Sequence, residues 1–117
     1  HAISAFYPAL PHGAGLIAIS LAYFSSFIND VPERFMKMAE AMTGDKSNDP
    51  KDFIQLLASM QKACGVDKIK LSEYGITQND LPKFTKNARE TMGRLFSFDP
   101  RPLSDKDLLA IYTDSYK

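Results

Sequence analysis

The longest apolar run of the chain lies near its beginning. From Ala14 to Ile28 no residue is charged, and apolar side chains occupy nearly every position around a helical wheel. A helix that is hydrophobic on all sides belongs inside a larger body, where it has neighbours on several faces. We therefore predict a buried helix over Ala14–Ile28. The run is shorter than the roughly 20 apolar residues that a bilayer span requires.

Four later segments carry apolar residues at helical spacing, each preceded by residues typical of a helix N-terminus. Their inward faces are predicted to be Phe35, Met38, Ala39 and Met42; Phe53, Leu57, Met60 and Cys64; Leu81, Phe84, Ala88 and Met92; and Leu108, Ile111 and Tyr112. The predicted caps are Asp30 with Glu33, Asp49 with Pro50, Thr77 with Asp80, and Ser104 with Asp107. Between the last two helices, Leu95, Phe96 and Phe98 are expected to be buried. No alternating strand pattern occurs, so the fold class is predicted to be all-α, a bundle of about five helices forming one domain over residues 1–117.

The charge balance argues against some classes of partner. Fourteen basic residues match 14 acidic ones, so the chain has no basic footprint for nucleic acid. A single cysteine cannot form an internal disulfide, and Cys64, on an apolar helix face, is expected to be an inert hydrophobe. The start has no basic leader typical of a signal peptide. We therefore expect a cytoplasmic protein without membrane or nucleic-acid partners.

The two histidines are the candidate chemical groups. His12 lies in Pro11-His12-Gly13, where a loop leads into the apolar helix, and His1 begins the chain. A neutral imidazole can bind a metal, but a metal site needs three or four donors, and the other donors are missing nearby. On this pattern alone, a structural, hydrogen-bonded histidine is the more common interpretation. Gly13-Ala14-Gly15 lacks a preceding strand, so no cofactor-binding residue is predicted for a dinucleotide.

Several segments together resemble the C-terminal part of the iron-containing (group III) alcohol dehydrogenases. The matching segments are His1–Tyr7, Leu10–Gly15 with the apolar helix behind it, Tyr74–Ile76, Asn87–Arg89 and Pro100–Ser104. The resemblance covers the whole chain, and Pro11-His12-Gly13 is its most specific part. It implies the C-terminal part of the helical domain found in dehydroquinate synthase-like and iron-containing alcohol dehydrogenase proteins, here as a fragment of a larger two-domain enzyme.

The resemblance also implies roles for the two histidines. His12 matches the last metal ligand of the family, whereas His1 matches a histidine near the metal and the nicotinamide that is not usually a ligand. We therefore expect His12 as the metal residue and His1 as the catalytic residue of an oxidoreductase that interconverts alcohols and aldehydes by hydride transfer. Phe6 and Tyr7 are candidates to line the substrate pocket, although packing is their more common role.

The family's other metal ligands and its nucleotide-binding domain lie upstream of His1. The implied cofactors, a divalent metal (iron, with zinc as the alternative) and NAD or NADP, are therefore expected in the intact parent and not bound by this fragment. The fragment is expected to be inactive alone. Its expected partners are the missing N-terminal nucleotide-binding domain, a small alcohol or aldehyde, and a second copy of the chain.

Two other functions compete with this interpretation. A non-catalytic helical interaction module would use the apolar surface of the first helix to meet a partner chain. A small metal-binding protein using His1, His12 and a carboxylate is the weaker alternative, because histidines separated by a proline-rich loop match no compact ligand spacing.

Overall fold

The computed structural model describes all residues, 1–117, and contains six α-helices and no strand. The helices are α1 (Ala2–Phe6), α2 (His12–Ser25), α3 (Pro32–Thr43), α4 (Lys51–Ala63), α5 (Leu81–Met92) and α6 (Asp105–Ser115). Short 3-10 turns cover Leu71–Tyr74, Gln78–Asp80 and Gly93–Phe98. The all-α prediction is confirmed. The additional helix is α1, which lies in the segment expected to be a loop.

Two of the predicted caps are confirmed. The backbone N–H and the hydroxyl of Thr77 both donate to the Asp80 carboxylate, at 2.9 and 2.8 Å, in the turn that leads into α5. Ser104 and Asp107 form the same reciprocal pair at the start of α6. Each pair satisfies backbone groups that a helix start leaves without partners.

The predicted cap at Asp30 is wrong. Val31 precedes the first residue of α3 and no side chain caps that helix. The Asp30 carboxylate instead accepts a hydrogen bond from Arg101 Nε at 3.1 Å, which ties the α2–α3 connection to the segment before α6. At α4 the helix begins one residue later than expected, at Lys51, whose backbone N–H donates to the Asp49 carboxylate at 2.9 Å.

The helices form two clusters of buried side chains, with α2 and α6 lying between them. The cluster at the chain start consists of Ala2, Ile3, Leu10, Leu71, Ile76, Leu81, Phe84, Ala88, Leu108 and Tyr112. The other consists of Phe27, Phe35, Ala39, Phe53, Leu103 and Ile111. Helix α1 packs on α5 and α2, so the first cluster fixes His1 and the start of α2 relative to each other.

Several residues predicted to be buried are exposed. Cys64 is exposed, and on α4 the inward position is taken by Gln61, whose amide donates to the Ser20 hydroxyl of α2 at 2.8 Å. Phe98 is 83% exposed and Leu95 is 54% exposed, because the turn Gly93–Phe98 points them away from the core.

The expected all-round burial of the apolar helix is also wrong for this chain. Along α2 only Gly15 is buried, and Leu16 is 50% exposed. The helix is packed on the sides that meet α4 and α6, and it has no neighbour over Leu16. None of the six helices combines the length and the apolar character that a membrane crossing needs.

Candidate functional site

Helix α1 brings the two histidines together. His1 lies at the N-terminus of α1, where its carbonyl accepts from the Ala5 backbone N–H at 3.0 Å, and His12 is the first residue of α2. The turn between the helices is closed by a hydrogen bond from the Leu10 N–H to the Tyr7 carbonyl at 3.1 Å, with the Leu10 side chain buried. The two imidazole rings are consequently stacked, with 4.8 Å between their centroids and 30° between their planes.

One nitrogen of His12 is positioned by α1 and the other is free. Nδ1 lies 3.5 Å from the Ser4 hydroxyl, at the outer limit of a hydrogen bond, and Nε2 has no partner in the chain. Histidines that bind metals usually engage their second ring nitrogen in this way, which fixes the orientation of the ring. His12 therefore fits the requirements of a single metal ligand.

The chain does not supply a complete ligand set. No group of three or more His, Cys, Asp or Glu residues in the structure could hold a metal ion. Only the two imidazoles lie close together. Metal sites use three or four protein donors, and water or substrate occupies any coordination position that is left open. The two histidines could therefore supply only part of a metal site.

Two cavities flank His1. The smaller has a volume of about 20 Å³ and lies between α1, α2 and α6; its lining residues are His1, Ile3, Ser4, His12, Gly15, Leu16, Ile19 and Tyr112. The larger, of about 380 Å³, is mostly apolar and lies over α5 and the turn that follows; its lining residues are His1, Ala2, Tyr23, Ala88, Met92, Leu95, Phe96, Phe98, Asp99 and Tyr112. Only His1 and Tyr112 belong to both cavities.

Phe6 and Tyr7 line neither of these two cavities, which agrees with packing as the more common role of aromatic residues at such positions. Both rings pack against Phe84, at 6.0 Å between centroids, and Lys83 Nζ lies 4.6 Å from the centre of the Phe6 ring. Lys83 also pairs with Asp80 at 2.9 Å. These contacts anchor α1 to α5 and so hold His1 and Ser4 in place.

Glycine is not required for close approach at the start of α2. A Cβ added at Gly13 would meet nothing within 4 Å, and one at Gly15 would lie at an ordinary 3.7 Å from the Leu10 side chain. Within this chain, no close contact requires either glycine, and both lie in the first turn of α2.

The apolar wall of the larger cavity and its two phenols, Tyr23 and Tyr112, are functional candidates that the sequence pattern did not indicate. The Tyr23 hydroxyl donates to the Asp99 carboxylate, and burial together with this hydrogen bond raises the pKa of Tyr23. Burial also raises the pKa of Tyr112. Both phenols are therefore protonated donors at neutral pH. The sequence feature that could have indicated this wall is the pair Leu95 and Phe98, two apolar residues in an irregular segment without helical periodicity.

Comparison with known proteins shows the family of the chain. The model of the "Fe-containing alcohol dehydrogenase family, C-terminal" matches residues 1–116. The chain belongs to this family. The resemblance inferred from Pro11-His12-Gly13 is thereby confirmed, and the chain corresponds to the C-terminal part of an iron-type alcohol dehydrogenase.

Similar proteins include a curated enzyme and a solved structure. The hydroxyacid-oxoacid transhydrogenase, mitochondrial, of Bos taurus is 28% identical over 115 residues, which is 95% of this chain and 24% of the relative. The archaeal halo-thermophilic Red Sea brine pool alcohol dehydrogenase ADH/D1 superposes with a TM-score of 0.86 at 26% identity, over 98% of this chain and 32% of that chain. A histidine-to-alanine variant of ADH/D1 gives a TM-score of 0.87 over the same shares. The chain thus spans about a quarter to a third of the length of these relatives.

Proposed function

We propose that this chain is the C-terminal metal- and substrate-binding part of an NAD(P)-dependent alcohol dehydrogenase. The observation that supports this function best is the pair His1 and His12. In a chain that matches the family over residues 1–116, the stacked rings lie between an apolar cavity and the start of α2, and His12 keeps one nitrogen free. We propose His12 as a metal ligand and His1 as the catalytic residue.

In this proposal His12 would hold the metal through Nε2, and Ser4 would orient the ring through Nδ1. A bound divalent metal, iron or zinc, would act as a Lewis acid on the oxygen of the alcohol or carbonyl group. Because His12 is the first residue of a helix packed against α4 and α6, its backbone is fixed before the metal arrives. That preorganisation lowers the entropy lost when the site assembles.

His1 has a separate task, which is to hold or move a proton beside the reacting oxygen. Its ring lies against the His12 ring and also faces the larger cavity, so it can contact a substrate whose oxygen lies near His12. An imidazole is suited to this because it accepts and donates protons near neutral pH.

The larger cavity would receive the carbon side of the substrate. Its wall combines Met92, Leu95 and Phe98 with the buried face of α5, and at about 380 Å³ it suits a small molecule. An apolar wall excludes water from the carbon atom that exchanges hydride with the nicotinamide.

A transhydrogenase activity on hydroxy acids, named for the bovine relative, is the second candidate function. A carboxylate substrate calls for a cationic partner, usually Arg or Lys. The cavity beside His1 contains neither, and it carries the Asp99 carboxylate. The part of the pocket that this chain builds therefore favours an uncharged alcohol or aldehyde.

The remaining parts of the site belong to the proposed partner, the N-terminal nucleotide-binding domain of the same protein. The chain covers less than a third of the relatives' length, which leaves room for a nucleotide site and for the missing metal ligands. We propose a cytoplasmic enzyme, although the bovine relative is described as mitochondrial.

The test compares His12→Ala with His1→Ala in the full-length protein. His12→Ala should remove one metal–nitrogen bond and lower metal affinity by more than the roughly 10–100-fold typical of residues that only support a ligand. His1→Ala should keep the metal and lower kcat. Metal stoichiometry, measured beside steady-state kinetics with alcohols and hydroxy acids, separates the two roles. Full metal occupancy and a normal rate in the His12 variant would refute the proposed site.

A further inference from the structure

The turn Gly93–Phe98 forms one wall of the larger cavity, but burial does not hold it in place. It contributes Leu95, Phe96 and Phe98 to the cavity lining, and none of its residues is buried. A segment with few buried apolar contacts opens easily unless other interactions restrain it. The position of this wall therefore depends on specific contacts between the turn and the rest of the chain.

Phe96 and Asp99 attach the turn to its neighbours. The Phe96 ring is half-buried, and its centre lies 4.5 Å from the Arg89 guanidinium of α5, the helix from which the turn continues. Just after the turn, the Asp99 carboxylate accepts a hydrogen bond from the Tyr23 hydroxyl of α2 at 2.5 Å. No other side-chain hydrogen bond joins residues 93–99 to the rest of the chain, because the second one that involves this segment closes within it.

Tyr23 is held firmly by the core on the other side of this hydrogen bond. Its ring meets the rings of Phe24 and Phe27 edge-on, at 5.4 and 5.2 Å between centroids, and Phe27 is fully buried in its cluster. Burial and the hydrogen bond to Asp99 raise the pKa of Tyr23, so its hydroxyl donates at neutral pH. Hydrogen bonds to carboxylates are among the stronger ones in proteins. The exposed turn is thus tied to a side chain that the core keeps in position.

We propose that Tyr23 is a positioning residue of the substrate pocket, because through Asp99 it holds the turn Gly93–Phe98 in place as the apolar wall of the larger cavity. The restraint on the turn follows from the hydrogen bond, whereas its effect on substrates rests on the proposed function. A wall that is already fixed costs less entropy to order when a substrate binds. A longer carbon chain contacts more of this wall, so Tyr23 matters most for substrates with long carbon chains.

The test uses Tyr23→Phe, Asp99→Ala and the double variant in the full-length holoenzyme, with Tyr116→Phe as the matched control. Tyr23→Phe removes only the hydroxyl and keeps the packed ring. Tyr116 directly follows α6, its hydroxyl donates to the Ile76 carbonyl at 3.3 Å, and it lines neither cavity beside His1. Hydrogen exchange of the backbone amides in the turn reports on the wall. Steady-state kinetics with straight-chain aldehydes of increasing length, from ethanal upward, report on the substrate.

We expect amide exchange in the turn to become about 10-fold faster in Tyr23→Phe, the lower end for loss of a hydrogen bond to a charged group. Asp99→Ala and the double variant should show the same increase, because all three remove the same bond and the effects of coupled residues do not add. The control should exchange like the wild type.

The kinetic effect should depend on the length of the aldehyde. We expect Tyr23→Phe to raise KM about 10-fold for the longest aldehyde but to leave KM for ethanal within about twofold, with kcat nearly unchanged, because the lost interaction contributes to binding and not to the chemical step. A merely structural role for Tyr23 would lower stability without making KM depend on chain length.

Unchanged exchange of the turn in Tyr23→Phe would overturn the proposal, and so would effects of the two single variants that add in the double variant. Faster exchange with the same change in KM for every aldehyde would reject the role of Tyr23 in the substrate pocket. These outcomes are separate from those of the proposed function. A wild type that reduces no aldehyde would refute that function, while a turn that exchanges normally in Tyr23→Phe would leave the activity and the metal stoichiometry as proposed.

Discussion

Ser4 is the side chain through which α1 acts on the proposed ligand. Its hydroxyl lies 3.5 Å from His12 Nδ1, so it restrains the ring weakly and leaves Nε2 free. The distance is long, and the restraint would strengthen if metal binding drew the ring into a fixed position.

Ser4→Ala in the full-length protein should weaken metal binding by roughly 10-fold, at the low end for residues that support a ligand, because the ring loses its orienting partner. The measurement is a metal-binding titration. Ser72→Ala is the control and should leave the affinity unchanged, because Ser72 is exposed and lines neither cavity beside His1. Equal affinities for the wild type and Ser4→Ala would mean that the ring is held by packing alone.

Among single residues, the sequence indicates His12 as a candidate ligand but not the side chains that surround the two histidines. Pro11-His12-Gly13 is a local pattern, visible in adjacent letters. Ser4 and Tyr112 reach the site only because α1 folds back on α2 and because α6 packs beside them. Nothing in the spacing of Ser4, His12 and Tyr112 along the chain encodes that proximity.

Among the elements, α5 has the best-defined start. Asp80 accepts from the Thr77 backbone and hydroxyl and pairs with Lys83 at 2.9 Å, and Lys83 in turn lies over Phe6 of α1. The Lys83 ammonium and the Thr77 hydrogen bonds hold the pKa of Asp80 well below its usual range. One carboxylate therefore supports both the start of α5 and the docking of α1.

Asp80→Asn should consequently destabilise the chain at neutral pH by a few degrees in Tm, as for the loss of a helix cap. Because the folded pKa lies below the unfolded value of about 3.9, the stabilisation is present above that pH and is lost as the pH falls through the folded pKa. The difference in Tm between wild type and variant should therefore shrink below about pH 4.

Thermal unfolding of the purified chain between pH 7 and pH 3 is the measurement for this prediction. Asp45→Asn is a suitable control, because Asp45 is exposed and its carboxylate makes no ion pair. A Tm difference for Asp80→Asn that stayed constant with pH would show that the loss comes from the altered hydrogen bonds to Thr77 and that the charge of the carboxylate contributes nothing.

Whether an element could be predicted from the sequence depends on how far along the chain its stabilising partners lie. The caps at Thr77 and Ser104 were predictable because their partners lie three residues away. Helix α1 was not, since a helix of five residues is unstable alone and exists here because Phe84 and Lys83 pack against it. The Asp30 cap failed because a distant cation, Arg101, takes the carboxylate.

The molecule as a whole is a thin slab. Its principal extents are 41, 32 and 18 Å, and its radius of gyration of 14.8 Å exceeds the roughly 13 Å of a compact domain of this length. An 18 Å thickness accommodates about two packed layers of helices, whose axes lie roughly 8–10 Å apart. With so few layers, α2 is covered where it meets α4 and α6, and Leu16 on another side stays 50% exposed, so its predicted burial is wrong for this chain.

The purified chain alone should show no NAD(P)H-dependent aldehyde reduction, because it contains no group of three metal donors and the proposed nucleotide-binding domain is not part of it. Mixed with that proposed N-terminal domain, produced separately, it should gain activity. Measurable reduction by the chain alone would contradict the division of the site between two parts of the protein.

Reassembly can also locate the surface on which the two parts meet. Phe98 is 83% exposed beside the cavity that His1 lines, so Phe98→Ser should leave the fold intact while removing apolar area from this face. Burying a side chain of this size contributes about 1.5–3 kcal/mol, so the concentration of N-terminal part needed for half-maximal activity should rise roughly 10–100-fold. Met42→Ser, which alters a 42% exposed apolar residue on α3, is the matched control and should leave that concentration unchanged. If both variants raise this concentration equally, the N-terminal part does not bind mainly at the face around His1. It would then also contact the side of the molecule formed by α3 and α4.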